Sequence, residues 1–261
     1  MGGRRVVSVE DDTDAVAEVV NPGGSSAVVL VCEHASNAIP PRFGRLGVSD
    51  ETVTSHVAWD PGADAIARSM AGILDAVLVR SRFSRLVYDC NRPPEAADAI
   101  PKKSERFEIP GNRGLREFER AARAREFYLP FRSLLQRTLQ SRTPAPVLVT
   151  IHTFTPVYFG ERRAVEIGIL HDQDPRLADA VLAIASGYDI RRNEPYGPAD
   201  GVTHTLREHG LANGYPNVMI EVRNDLAATP EQCEAMARTL AGWIEHARAL
   251  LDGGKTGDLR A

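Results

Sequence analysis

Val28-Val29-Leu30-Val31-Cys32-Glu33-His34-Ala35-Ser36-Asn37 is the stretch from which the fold is read. An uncharged run of mostly β-branched residues stops at Glu33-His34 and passes into small polar ones. Such a run reads as a strand buried on both faces, as in a largely parallel sheet covered by helices. Ligands of open α/β sheets collect at the carboxyl ends of such strands. His34 therefore stands where an α/β enzyme places a reactive group.

The same design recurs further along. Residues 146–156 read as a second buried strand closing on His152, and residues 217–224 as a third that ends on Glu221 and Arg223. Shorter runs predict strands over 76–79, 84–92 and 165–170. Asp60 followed by Pro61 is a good helix start, with Ala65, Ile66, Met70, Ile73 and Leu74 recurring at helical spacing behind it. Further helices are predicted over 115–139, with Phe118, Phe127, Phe131, Leu134 and Leu135 inward, over 174–186, through His204 and His209, and over 229–251. Strands alternating with helices predict one α/β domain, a three-layer α/β/α sandwich around a mixed, largely parallel sheet. It spans 26–252, after a loosely packed polar arm (1–25) carrying Glu10, Asp11, Asp12 and Asp14, and before a fraying tail (253–261). Residues 93–114 lose all periodicity and read as a long surface loop able to cover a pocket.

Bulk properties narrow the function. The chain has 261 residues, ample for one large core, with ordinary charged (25%) and hydrophobic (43%) fractions. A net charge of −4 offers no general attraction to nucleic acid or to an anionic membrane. No apolar run reaches the length of a membrane span, and the N-terminus lacks the hydrophobic segment of a secretory signal. Cys32, Cys90 and Cys233 are too few and too scattered for a disulfide framework, so buried, reduced thiols in a cytoplasmic protein are expected. An anionic small molecule would have to be held by local arginines.

Those strand ends carry the chemistry. Three predicted strands end in a titratable residue, His34, His152 and Glu221, and Asp60 opens a helix beside the first; two imidazoles and one carboxylate with an open fourth position make a catalytic zinc ligand set. A further carboxylate beside the metal could take a proton from water and pass it to a leaving nitrogen. Each residue also has a plainer reading. A lone histidine at a strand end is commonly structural, Asp60 on spacing alone reads first as an N-cap, and Glu221 could pair with Arg223. Arg85, Arg92 and Arg223 lie near predicted strand ends and suit a substrate carboxylate, although a pair such as Arg85 with Asp89 would serve structure alone. His204 and His209 border a loop and are candidates for a supporting role or a spare ligand.

Five blocks together resemble the N-formylglutamate amidohydrolase family, in its order, between about Val28 and Leu226. They are Cys32-Glu33-His34-Ala35-Ser36-Asn37, Ala58-Trp59-Asp60-Pro61-Gly62-Ala63, Ser84 to Arg92, Ile151-His152-Thr153-Phe154, and Ile220-Glu221-Val222-Arg223-Asn224-Asp225. The resemblance implies a fold like that of zinc carboxypeptidases and related phosphorylase/hydrolase proteins. It implies Zn2+ (or another divalent ion) on His34, Asp60 and His152, and Glu221 as the catalytic carboxylate; Glu33, next to His34, is the substitute ligand should Asp60 serve only the helix. Asn37, Arg85, Asn91, Arg92 and Arg223 stand as candidate substrate contacts. The implied reaction is hydrolysis of an N-formyl, or other N-acyl, acidic amino acid to formate and L-glutamate, a step of histidine catabolism. The same chemistry on another amide, such as a peptidoglycan-type one, or a non-catalytic carboxylate sensor, are the alternatives. The chain has Glu33 before the first histidine and Thr150 two residues before the second, departures from the better-known deformylases that change the pocket but keep the metal positions.

Overall fold

The computed structural model describes residues 16–257. One sheet contains β1 (Ala17–Val20), β2 (Val28–Cys32), β3 (Val77–Ser81), β4 (Val147–Phe154), β5 (Ile167–Leu170), β6 (Ile190–Arg192) and β7 (Asn217–Arg223). Their spatial order is β1-β3-β2-β4-β7-β5-β6. The central strands β3, β2, β4 and β7 are all parallel, while β1 lies antiparallel to β3 and β5 antiparallel to β7. This is the mixed, largely parallel α/β sheet expected. Because the central strands run one way, the segments leaving Cys32, Phe154 and Arg223 emerge at one edge.

The main helices are α1 (Ala63–Ile73), α2 (Leu129–Gln140), α3 (Arg176–Leu182) and α4 (Pro230–Gly257). Side-chain alternation divides the core between the two faces of the sheet. Val28, Leu30 and Cys32 of β2, with Val149, Ile151 and Ile220, pack with residues of α1, α3 and α4. Val29, Val31, Leu148 and Met219 pack with Phe131, Leu135 and Leu139 of α2. Each fully buried aliphatic side chain contributes roughly 1.5–3 kcal/mol. By the same period of two, His152 and Glu221 lie on the face of Leu148 and Met219. They are also partners in register across the β4–β7 pair.

Several expectations need correction. Residues 84–92, half-buried Arg85 apart, are buried but form no strand. The place beside β3 is taken by Ala17–Val20, so part of the N-terminal arm is an edge strand rather than a loose segment. Leu86, Val87 and Tyr88 fill the core from a loop whose amides bond elsewhere: Ser84 N–H to Ala38 O, Arg85 N–H to Ala58 O, Asp89 N–H to Ala99 O. Glu10, Asp11, Asp12 and Asp14 lie outside the described residues. Helix α4 continues to Gly257, through the start of the expected tail. The predicted helix over 115–139 is Glu117–Arg123, a π turn at Ala124–Tyr128 and α2; Pro130 follows that turn and has no N–H to continue the ladder. Phe118 is 58% exposed, beneath the Arg116 guanidinium at 4.3 Å, instead of inward. The 93–114 loop contains a short hairpin, Lys103–Ser104 with Phe107–Glu108, and is anchored by buried Ile100, Ile109 and Asn112.

Candidate active site

His34 follows β2 in a turn, and its carbonyl accepts the Asp60 N–H at 3.0 Å. This bond brings the start of α1 back beside the end of β2. The cap of α1 is Gly62, at φ 87°, with no side-chain capping bond. A Cβ there would lie 2.7 Å from Ala227 O, so glycine lets the chain turn closely against that backbone. The Asp60 carboxylate is thus not the helix cap and turns inward. Its Oδ2 lies 3.2 Å from His34 Nδ1 and 2.9 Å from His152 Nδ1, and the two Nδ1 atoms are 3.1 Å apart. Ligands at about 2.0–2.1 Å from one tetrahedral zinc stand roughly 3.3 Å from each other. All three side chains are buried.

Carboxylates back both rings. His34 Nε2 lies 2.7 Å from Asp89 Oδ1, and His152 Nε2 lies 3.1 Å from Glu33 Oε2, the latter without hydrogen-bond alignment. The Asp89 bond places the His34 ring proton on Nε2 and turns its Nδ1 lone pair toward the shared point, and the Glu33 charge favours the same tautomer of His152. Burial opposes charge on His34, as does Arg85, but Asp89 and Asp60 outweigh them and raise its pKa. For His152 burial is outweighed by Glu33 and Asp60, which raise it well above the ordinary value. The Asp60 carboxyl is held far down despite its burial, by both histidines. Glu33, Asp60, Asp89 and Glu221 are buried here together, against the guanidinium of Arg85. Protonated imidazoles can answer that negative charge, but imidazoles that give up a proton to serve as ligands leave Arg85 alone against the carboxylates, and a divalent cation would make up the difference. Donor types, spacing and charge all fit a divalent ion on His34, Asp60 and His152.

Glu221 lines the same pocket, of about 570 Å³, as His34, Asp60 and His152. Its Oε2 is buried and has no hydrogen-bond partner among the described residues. Burial pushes its carboxyl up to about 7, Asp60 adding to the rise and the histidines and Arg85 opposing it. A carboxylate poised there can accept and return a proton near neutral pH.

The expected substrate contacts divide. Arg85 and Arg92 line the pocket, but both are engaged: Arg85 with Asp60 (3.4 Å) and Asp89 (2.7 Å), Arg92 with Asp98 (2.7 Å) and two carbonyls. Asn91 spends its amide on Val202 O and the Thr205 N–H, tying two loops together. Asn37 binds Val53 O and is not part of the pocket wall. Arg223 is also absent from that wall. Its Nη1 donates to the carbonyls of Arg163, Ala164 and Val165, and its Nε to Asp225. Glu33 stays behind His152 and leaves the third donor position to Asp60. His204 donates to or accepts from Tyr128 OH at 2.7 Å in a neighbouring cleft, and His209 is buried nearby; neither reaches the donor cluster.

Sequence reasoning missed Arg163 and Tyr196, which line the pocket from loops, and the His56–Glu105 pair at its rim, 3.0 Å apart. Glu105 also accepts the Phe159 N–H, joining the 93–114 loop to the hairpin Val157–Tyr158/Glu161–Arg162. No local pattern marks these residues; only the Ser84 to Arg92 block carried a usable signal for Asp89.

Known proteins share this fold. The family model for N-formylglutamate amidohydrolase matches residues 26–228. A gene product of Agrobacterium tumefaciens, known from its crystal structure, is 50% identical, with a TM-score of 0.89 over 92% of this chain and 98% of that one. The crystal structure of N-formylglutamate amidohydrolase from Ralstonia eutropha superposes with a TM-score of 0.64 at 19% identity, over 92% of this chain and 99% of that one, a likeness of fold. No curated protein sequence matches the chain. No helix among the described residues is long and apolar enough to cross a membrane.

Proposed function

The chain belongs to the N-formylglutamate amidohydrolase family, and from that premise we propose that it is a divalent-metal-dependent amidohydrolase of N-acylated acidic amino acids, N-formylglutamate first among them. The observation that supports this best is the convergence of His34 Nδ1, His152 Nδ1 and Asp60 Oδ2 beside an unpartnered Glu221 in a pocket of small-molecule size. A cation held by His34, Asp60 and His152 would polarise the amide carbonyl and ease the deprotonation of water. Asp89 keeps His34 in the tautomer that offers Nδ1, and the Glu33 charge favours the same tautomer of His152. Glu221 takes the proton of the attacking water and hands it to the leaving nitrogen, so that formate and glutamate depart. Arg85, fixed by two carboxylates, keeps positive charge beside the tetrahedral intermediate.

The test is a panel of formyl, acetyl and succinyl amino acids, assayed with zinc-loaded and chelator-stripped protein. Turnover of N-formylglutamate that disappears on stripping and returns with zinc is the expected result. Glu221→Gln keeps shape but removes the base, so kcat should drop by roughly 10²–10⁴-fold while zinc still binds. Wild-type turnover by Glu221→Gln would make Glu221 structural and sink the mechanism.

A further inference from the structure

The pocket arginines differ in what answers their charge. Arg85 and Arg92 each face acidic side chains, whereas Arg163 has none within ion-pair distance among the described residues. Its Nη1 is engaged, donating to Tyr196 OH at 2.9 Å and to Thr155 O at 3.4 Å. Its guanidinium lies over the rings of Tyr158 (4.4 Å), Tyr196 (4.8 Å) and Phe154 (5.5 Å), contacts that fix the plane of the group without neutralising it. The backbone beneath is clamped by Arg223, which bonds the carbonyls of residues 163–165.

What remains is the Nε/Nη2 edge. Neither atom donates to a protein acceptor among the described residues, and neither is sealed from solvent as an unpaired buried atom. That edge is the one which matches a carboxylate with two parallel bonds.

We propose that the Nε/Nη2 edge of Arg163, held rigid by Tyr196 and the aromatic rings around it, is the carboxylate-recognition element of the pocket and selects acidic over neutral amides. Arg223, expected from the sequence to touch substrate, acts instead through the segment that carries Arg163. The assignment to substrate selection rests on the amidohydrolase reading above, while the binding of a carboxylate does not.

The experiment compares wild type, Arg163→Met, Arg163→Lys and Tyr196→Phe as zinc-loaded full-length protein. Hydrolysis is measured on N-formylglutamate and on its uncharged diamide, and glutarate binding is measured by calorimetry. Arg163→Met should raise KM for N-formylglutamate and Kd for glutarate by roughly 10–100-fold, the worth of one charge-assisted pair. It should leave kcat on N-formylglutamate and KM for the diamide nearly unchanged. Arg163→Lys should recover part of the loss, and Tyr196→Phe should show a smaller loss in the same direction. A KM for N-formylglutamate and a glutarate Kd equal in wild type and Arg163→Met would overturn the proposal, as would an equal loss on acid and diamide. If wild type hydrolyses neither substrate, the amidohydrolase reading falls, and Arg163-dependent glutarate binding still upholds the recognition element.

Discussion

Replacing Asp89 with asparagine keeps the size of the side chain and removes its charge. Asp89 Oδ1 lies 2.7 Å from His34 Nε2 and accepts the Asn91 N–H at 2.9 Å, while Oδ2 accepts from Arg85 Nη2 at 2.7 Å. An amide has one oxygen, so its NH2 must confront a donor on one side or the other. With the oxygen toward His34 it opposes Arg85; with the oxygen toward Arg85 it opposes the His34 N–H. Either orientation forfeits a charge-assisted bond worth about 1.5–3 kcal/mol. The loss falls on the group that sets the tautomer and basicity of His34, where removing such a partner weakens metal binding by roughly 10–100-fold. That factor is about 1.4–2.8 kcal/mol, so the two routes agree. Zinc affinity measured by competition with a chromophoric chelator at neutral pH provides the check. Glu33→Gln should have the smaller effect, because its contact with His152 is longer, at 3.1 Å, and misaligned. An Asp89→Asn protein that binds zinc as wild type does would refute the idea that Asp89 prepares His34 as a ligand.

Two further outcomes follow from buried contacts. His209 is buried, and that burial brings its pKa down to about 4, with Arg132 and His204 assisting and Glu208 opposing. The unfolded chain, at about 6.5, therefore takes up the proton first; this contribution to stability is complete above about pH 6.5 and falls away toward pH 4, by about 3 kcal/mol in all. Urea midpoints should drop more steeply with acid in wild type than in His209→Gln, and parallel curves would show that His209 does not sense the pH. At Gly168 in β5 a Cβ would sit 2.0 Å from the backbone oxygen of Glu194, in the loop that carries Tyr196. Gly168→Ala should cost about 1–3 kcal/mol, read as a lower Tm, and raise KM for an acidic substrate by shifting Tyr196; an unchanged Tm would mean that the loop has room to give.

Hydrophobic patterning is a local property, and it carried most of the architecture. The buried runs at Val28–Cys32, Val147–Phe154 and Asn217–Arg223 are strands where expected, and their like direction brings His34, His152 and Glu221 to one edge. The same logic failed at residues 84–92, because burial by itself does not distinguish a strand from a core-filling loop. What separates them is where the amide hydrogens go, and that depends on Ala38, Ala58 and Ala99, far away along the chain.

Within the pocket the division is of the same kind. A titratable residue at the end of an aliphatic run can be read from the chain, because the run fixes where the strand stops. The partners of that residue cannot, because hydrogen bonds and ion pairs join groups that only the folded backbone brings close. On spacing alone Asp60 reads as a helix cap, whereas the His34 carbonyl and Gly62 turn it toward the two imidazoles. Arg223, two residues beyond Glu221 on one strand, reads as a ligand contact, whereas three carbonyls surround its Nη1. Arg163, in an exposed-looking run of charge at Glu161-Arg162-Arg163, carried no signal. Its open edge exists because Tyr196 and Thr155 take its Nη1, the rings of Tyr158 and Tyr196 flank the group, and no acid among the described residues lies within ion-pair distance. Aliphatic burial is roughly additive along the chain and survives without knowledge of neighbours, whereas the fate of a charge depends on which opposite charge the tertiary fold delivers within a few ångströms.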